Sequence, residues 1–168
     1  MAFTVEDGTG VAGANALIAT DFADTYHADR GNSAWTGSGP DKQRAIVRAT
    51  DWLCAEVAYR GRLVEDEQAL AWPRQDIQRA SDGFALPDDE IPLGLQRATA
   101  ELAMIALTED LRPALTEGRV ATESEKSGSL SKTKTYVTDD SMRFPKVMAL
   151  LVAAELVQSQ AQAPILRA

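Results

Sequence analysis

Apolar positions along this chain recur at spacings of three and four, in bursts bounded by glycine or proline. That period marks amphipathic helices laid on a common core. In the first burst Phe22 and Tyr26 stand four apart. Thr20 reads as the N-cap there, Asp21 and Asp24 suit the first turn, and Gly31 closes the helix. After the break Gly37-Ser-Gly-Pro40, a stripe of Ile46, Ala49, Leu53 and Val57 runs beside Trp52, opposite Arg44, Arg48, Glu56 and Arg60. The pattern predicts a helix over 41–60, stopped by Gly61, with an i,i+4 pair between Glu56 and Arg60. A third helix over 92–110 opens at Ile91-Pro92, carries Leu95, Ala98, Leu102, Ile105 and Ala106 on one side, and ends at Arg112-Pro113. Phe144-Pro145 opens a last helix over 145–157, striped by Val147, Leu150, Leu151, Ala154 and Val157.

Elsewhere the pattern is different. Residues 1–15 are small and glycine-rich and read as an extended N-terminal arm, followed by a short strand at Ala16–Ala19. Residues 62–90 look irregular, with Leu70, Trp72, Phe84 and Leu86 as their anchors. Arg119 to Lys126 and Leu130 to Thr138 flank Ser127-Gly-Ser129 and predict a β-hairpin over 119–138. Both of its faces are mostly polar, and a lone two-stranded hairpin is marginal in water. Such a hairpin needs completion by something else, most simply a neighbouring copy of the chain. Residues 159–168 read as a loose C-terminal tail. The expected fold class is mainly α: a four-helix bundle within residues 16–158 and a projecting β-hairpin.

Composition adds constraints. The 168 residues are enough for one real core. Lys and Arg number 17 against 25 Asp and Glu, a formal net charge of −8. That balance opposes sequence-independent binding to a phosphate backbone unless a local basic patch exists. Lys126, Lys132 and Lys134 cluster on the hairpin. They read either as a charged edge that deters aggregation or as a latch for an acidic partner or DNA, with Glu123 and Glu125 offsetting part of their charge. The chain opens without a basic, apolar leader, and Val147–Val157 is too short to span a bilayer. The expectation is a bacterial cytoplasm, or a particle assembled there, with no membrane partner.

Little chemistry stands out. Cys54 lies among Trp52, Leu53, Ala55 and Val57 and reads as a buried helix thiol rather than a nucleophile. His27, near Asp24 and Asp29, reads as a solvated helix histidine rather than a base. There is no metal-ligand spacing, no P-loop, no dinucleotide-binding glycine pattern and no nucleophile elbow. Asp88, Asp89 and Glu90 are adjacent and point apart, which suits a solvated start to the third helix better than glycosidic chemistry. Trp35, Trp52 and Trp72 share no basic track and read as core or loop anchors rather than base-stacking platforms. The expectation is therefore no enzyme: no catalytic residue, no metal and no cofactor.

Several short segments occur in a telling order: Gly13-Ala-Asn15, Ala23-Asp-Thr-Tyr-His-Ala-Asp-Arg-Gly-Asn32 with Trp35, Arg48-Ala-Thr-Asp51, Tyr59-Arg-Gly61, Gln68-Ala-Leu-Ala-Trp-Pro-Arg74, and Ile91-Pro92 followed by Ala98 and Glu101-Leu-Ala103. The polar stretch Glu123-Ser-Glu-Lys-Ser-Gly128 and Phe144-Pro145 complete it. Over residues 10–158 the chain resembles small phage proteins labelled DnaT-like ssDNA-binding proteins, and it is similar to phage head–tail connector or adaptor proteins. The adaptor resemblance implies a structural virion protein of the neck, a homo-oligomer forming a dodecameric ring. It would sit below the portal protein, extend the DNA channel, receive a tail or neck completion protein, and pass double-stranded DNA without sequence-specific contact. The DnaT-like resemblance implies single-stranded DNA binding in replication restart. Charge and hairpin favour the adaptor. The candidate interface is Arg119, Glu123, Glu125, Lys126, Leu130, Lys132, Lys134 and Tyr136 on the hairpin, with Pro164, Ile165, Leu166 and Arg167 in the tail.

Overall fold

The computed structural model describes residues 2–112, 120–126, 131–136 and 144–157. Its elements are α1 (Thr20–Ala28), α2 (Gly39–Glu56), β1 (Arg62–Leu63), β2 (Arg74–Gln75), α3 (Leu93–Ala106), β3 (Val120–Lys126), β4 (Ser131–Tyr136) and α4 (Pro145–Ala153). The mainly α character and the hairpin thus agree with the sequence pattern. The chain divides into two compact units, residues 1–111 with 145–168, and residues 112–144.

In the first unit α3 is the centre and touches α1, α2 and α4. It can do so because its apolar positions continue round the helix: Leu95, Ala98, Leu102, Ala103 and Ala106 are all fully buried. Ile46, Ala49 and Leu53 of α2 and Val147 and Leu151 of α4 join the same core. Close approach of α4 depends on Gly94, where a Cβ would lie 2.3 Å from the Ala154 Cβ.

The helix ends differ from expectation for identifiable reasons. In α1 the N-cap is Ala19, not Thr20, and no side chain caps it. The preceding Leu17 and Ile18 are buried, and the Leu17 N–H donates to Thr50 Oγ1 at 3.1 Å, so tertiary anchoring replaces a cap. Helix α2 starts earlier than 41, because Ser38 and Asp41 form a capping box with Pro40 in the first turn. It also stops at Glu56 rather than Arg60. Val57 turns extended, and Tyr59 then bridges Val157. Arg60 accordingly lies 3.7 Å from Glu155. Gly61 is required by β1 and β2 instead of by the helix: it has φ +69°, and a Cβ there would meet Gln75 O at 2.3 Å.

Residues 2–15 are not a free arm. Glu6 is only 3% exposed, and its carboxylate accepts from the N–H groups of Gly8 at 3.0 Å, Gly10 at 2.9 Å and Val11 at 2.9 Å. Val5 bridges Ala16 in parallel, and the Asn15 side chain accepts from Thr4 N–H and donates to Ala2 O. A glycine-rich segment lacks side chains for a core, so one buried carboxylate organises its backbone instead. The expected strand at 16–19 is reduced to that single bridge at Ala16.

Residues 62–90 hold more order than expected. β1 pairs antiparallel with β2, and Gln78 bridges Ala85. Trp72 is fully buried there, with Tyr59 edge-on to it at 5.7 Å. Phe84 is not an anchor: it is 67% exposed.

In the second unit β3 and β4 pair antiparallel. Glu123 stands opposite Lys134, Ser124 opposite Thr133 and Glu125 opposite Lys132, with an irregularity between Val120 and Thr122.

Candidate functional site

Threonines along both strands suit the paired ribbon of β3 and β4. Its register brings half of the expected interface residues together: Glu123, Glu125, Lys126, Lys132, Lys134 and Tyr136 all lie on the paired strands. Arg119, Leu130, Pro164, Ile165, Leu166 and Arg167 lie outside the described residues. Directly opposed residues share one face of an antiparallel ribbon. The register thus sets Lys134 opposite Glu123 and Lys132 opposite Glu125.

The two units differ in charge. Residues 112–144 carry six Lys and Arg against five Asp and Glu, whereas the rest of the chain carries eleven against twenty. The acidity inferred from the whole sequence therefore belongs to the helical unit, and the hairpin unit is slightly cationic.

His27 overturns the expectation of a solvated side chain, since it is 1% exposed. Its Nδ1 faces Asn32 Nδ2 at 3.0 Å and its Nε2 faces Ala100 O at 3.1 Å. The amide donates to Nδ1 and Nε2–H donates to the carbonyl, which is the pattern of a neutral imidazole. Burial depresses its pKa, against a smaller opposing effect of Ala100 O and Glu101. Beside it Tyr26 donates to the buried Glu101 carboxylate at 2.7 Å, and Lys146 of α4 reaches the same carboxylate at 2.7 Å. Burial, followed by that hydrogen bond, pushes Tyr26 up to about 12. This group ties α1, α3 and α4 together and reads as structural.

The other singled-out residues are structural as well. Trp35, Trp52 and Trp72 are all buried, as anchors should be. Trp35 Nε1 donates to Asp24 at 2.6 Å, and Lys42 reaches the same oxygen at 2.7 Å. The Lys42 hydrogen bond, with that of Trp35, holds the Asp24 carboxyl below the usual range. Cys54 is half-buried; burial raises its pKa, and its Sγ accepts from Ala71 N–H at 3.4 Å. Asp88 and Asp89 are exposed and, with Glu65, rim a shallow groove of about 280 Å³ floored by Gly8, Val64 and Pro73. Among the described residues no group of His, Cys, Asp or Glu could hold a metal ion, and no helix is long and apolar enough to cross a membrane.

Sequence reasoning missed the loop that carries Phe84. Arg79 N–H donates to Phe84 O at 2.9 Å, Gly83 N–H to Arg79 O at 2.9 Å, and Leu86 N–H to Ile77 O at 2.8 Å. The Glu155 carboxylate accepts from Ser81 N–H at 3.1 Å and from Ala80 N–H. Those two bonds, with Arg60 adding to them, hold its pKa below the ordinary carboxylate range. The signal available in sequence was Ser81-Asp-Gly-Phe84, an aromatic directly after a turn.

No curated protein and no solved structure matches the chain. The family match meets the DnaT-like half of the resemblance, and no comparison names a head–tail adaptor. The family described as "Putative DnaT-like ssDNA binding protein" matches residues 1–168, and the chain belongs to that family.

Proposed function

We propose that this chain binds single-stranded DNA, with the hairpin unit as its contact with the phosphate backbone. The observation that carries the reading is the family match along the whole chain. Charge distribution supports the location: the helical unit is strongly acidic and repels phosphate, while the hairpin unit holds Arg119, Lys126, Lys132 and Lys134. Lys132 and Lys134 stand opposite Glu125 and Glu123. Cross-strand pairs of this kind contribute roughly 0.2–1 kcal/mol, so phosphate oxygens can replace the glutamates at small cost. The test is fluorescence anisotropy of a labelled oligothymidylate at low salt. Binding that weakens when Lys126, Lys132 and Lys134 become Glu supports the reading; no binding at low salt removes it.

The second reading is a head–tail adaptor: a helical bundle whose hairpin completes a neighbouring copy in a dodecameric ring, on the portal side of a virion neck. The hairpin favours it, as a compact unit of its own made largely of polar residues. A two-stranded ribbon gains stability by strand addition to another subunit, and a heterologous contact that closes makes a ring. An acidic helical unit would also let duplex DNA slide through a channel. Mass photometry with electron microscopy separates the two readings. Rings without oligonucleotide affinity select the adaptor, and deletion of residues 121–136 should then leave a folded monomer.

A further inference from the structure

Phe84 is the most exposed of the large hydrophobic residues described, at 67%. Its loop is held from several sides. The Asp82 carboxylate accepts from Phe84 N–H at 3.0 Å and pairs with the Arg79 guanidinium at 2.6 Å. Glu155, at φ +56°, grips the backbone of Ala80 and Ser81. Arg60 ties Gln78 O at 2.9 Å to Glu155 O at 3.1 Å. A large apolar ring is thus presented to water on a well-fastened turn.

The surroundings indicate what it meets. Within its loop Phe84 is flanked by exposed Ser81, Asp82, Gly83 and Ala85, so the loop offers one ring and no apolar patch. A protein interface needs on the order of 800 Å² per partner with an apolar centre, whereas a nucleobase needs a single aromatic face. Arg79 lies over the ring at 5.7 Å, which adds a cation to the stack. Arg60 reaches the base of this loop at Gln78 O, 2.9 Å away, and the pairing of β1 with β2 sets Arg62 opposite Gln75 and beside Asp76. Arg62 is 71% and Arg79 40% exposed, and their acidic partners Asp76 and Asp82 are 63% and 38% exposed. Exposed pairs are weak, so a phosphate can take over either guanidinium.

We propose that Phe84 is a base-stacking residue for single-stranded DNA, with Arg79 meeting a flanking phosphate. The proposal rests on the single-strand reading and adds to it a specific contact on the helical unit.

The experiment measures binding of the full chain to an oligothymidylate and to an abasic oligomer of equal length, for wild type, Phe84→Ala and Phe84→Trp. Base–aromatic stacking is worth about 1–3 kcal/mol per base, so Phe84→Ala should weaken oligothymidylate binding roughly 5- to 150-fold. Phe84→Trp should restore it, and the abasic oligomer should bind both variants as it binds wild type. The ring is exposed, so urea midpoints should coincide. If wild type binds oligothymidylate and Phe84→Ala binds equally well, the stacking role is overturned and the single-strand reading stands. Equal losses on both oligomers, or a changed oligomeric state with unchanged DNA affinity, also overturn it, the latter by making the ring a protein contact. If wild type binds neither oligomer, both readings fail together.

Discussion

At the residue scale two buried polar side chains govern how the protein responds to change. His27 is neutral in the fold because burial penalises its charge and Asn32 occupies Nδ1 as a donor. Its folded pKa lies below its unfolded value, so in the range between the two the unfolded chain binds the extra proton. Stability from this site is fully present above about pH 6.5 and is lost as pH falls through the depressed folded value. Urea midpoints measured from pH 7.5 down to 5 should therefore decline, and His27→Gln should flatten that decline. An unchanged slope in the variant would place the acid sensitivity elsewhere. Asp24, held low by Lys42 and Trp35, adds its loss only further down, below its model-peptide value near 3.8. Glu6 acts on the backbone. Glu6→Gln turns one acceptor into a donor facing an N–H and removes the charge from three hydrogen bonds. Charged hydrogen bonds contribute about 1.5–3 kcal/mol each, so a loss of at least 2 kcal/mol is expected by chemical denaturation. Hydrogen exchange at Gly8, Gly10 and Val11 should accelerate selectively.

At the element scale the helices were legible because periodicity reports burial, and α3 shows where that stops. Leu95, Ala98 and Leu102 announce its core side, yet Thr99, Ala100 and Glu101 are equally buried, because α1, α2 and α4 enclose it. A stripe can indicate that a helix is amphipathic, but alanines on the remaining side leave open how many neighbours it has. Helix ends were read poorly where tertiary contacts decide them. Tyr59 leaves α2 in order to bridge Val157, a pairing of residues far apart in sequence that no local pattern contains. Arg48 is exposed, opposite the stripe as its spacing predicts, and from there it donates to Ala106 O at 2.6 Å and Glu109 O at 2.5 Å, satisfying carbonyls at and beyond the end of α3. The hairpin was legible from composition alone, since threonine-rich strands around Ser-Gly-Ser need no tertiary information. The organised start of the chain was not, because glycine pattern says nothing of a carboxylate that gathers N–H groups. Packing of α4 on α3 gives a direct check. Gly94→Ala should destabilise by about 1–3 kcal/mol, as overpacking does, despite the gain in helix propensity. If thermal unfolding shows the variant as stable as wild type, the two helices are not in the close contact that Gly94 permits.

At the scale of the whole molecule, net charge was a misleading average. A formal −8 argues against phosphate binding only if charge is evenly spread. Here twenty acids sit with eleven cations in one unit, and six cations with five acids in the other. Under the single-strand reading an acidic body confines phosphate contact to local clusters of cations and so restricts the path of a strand. Salt dependence measures how many cations are used. Single-strand binding changes as about −0.7 per neutralised phosphate on a log–log scale. If Arg119, Lys126, Lys132 and Lys134 each engage one phosphate, the slope is about −2.8, and affinity should fall roughly 50-fold between 50 and 200 mM salt. With Lys126, Lys132 and Lys134 changed to Glu, the slope should shrink by about 2.1, with affinity at low salt reduced accordingly. A variant that keeps the wild-type slope would move the phosphate contacts onto the helical unit, where the arginines around Phe84 are the remaining candidates. A wild type without salt-sensitive binding would leave the hairpin lysines to a protein partner, as the ring reading requires.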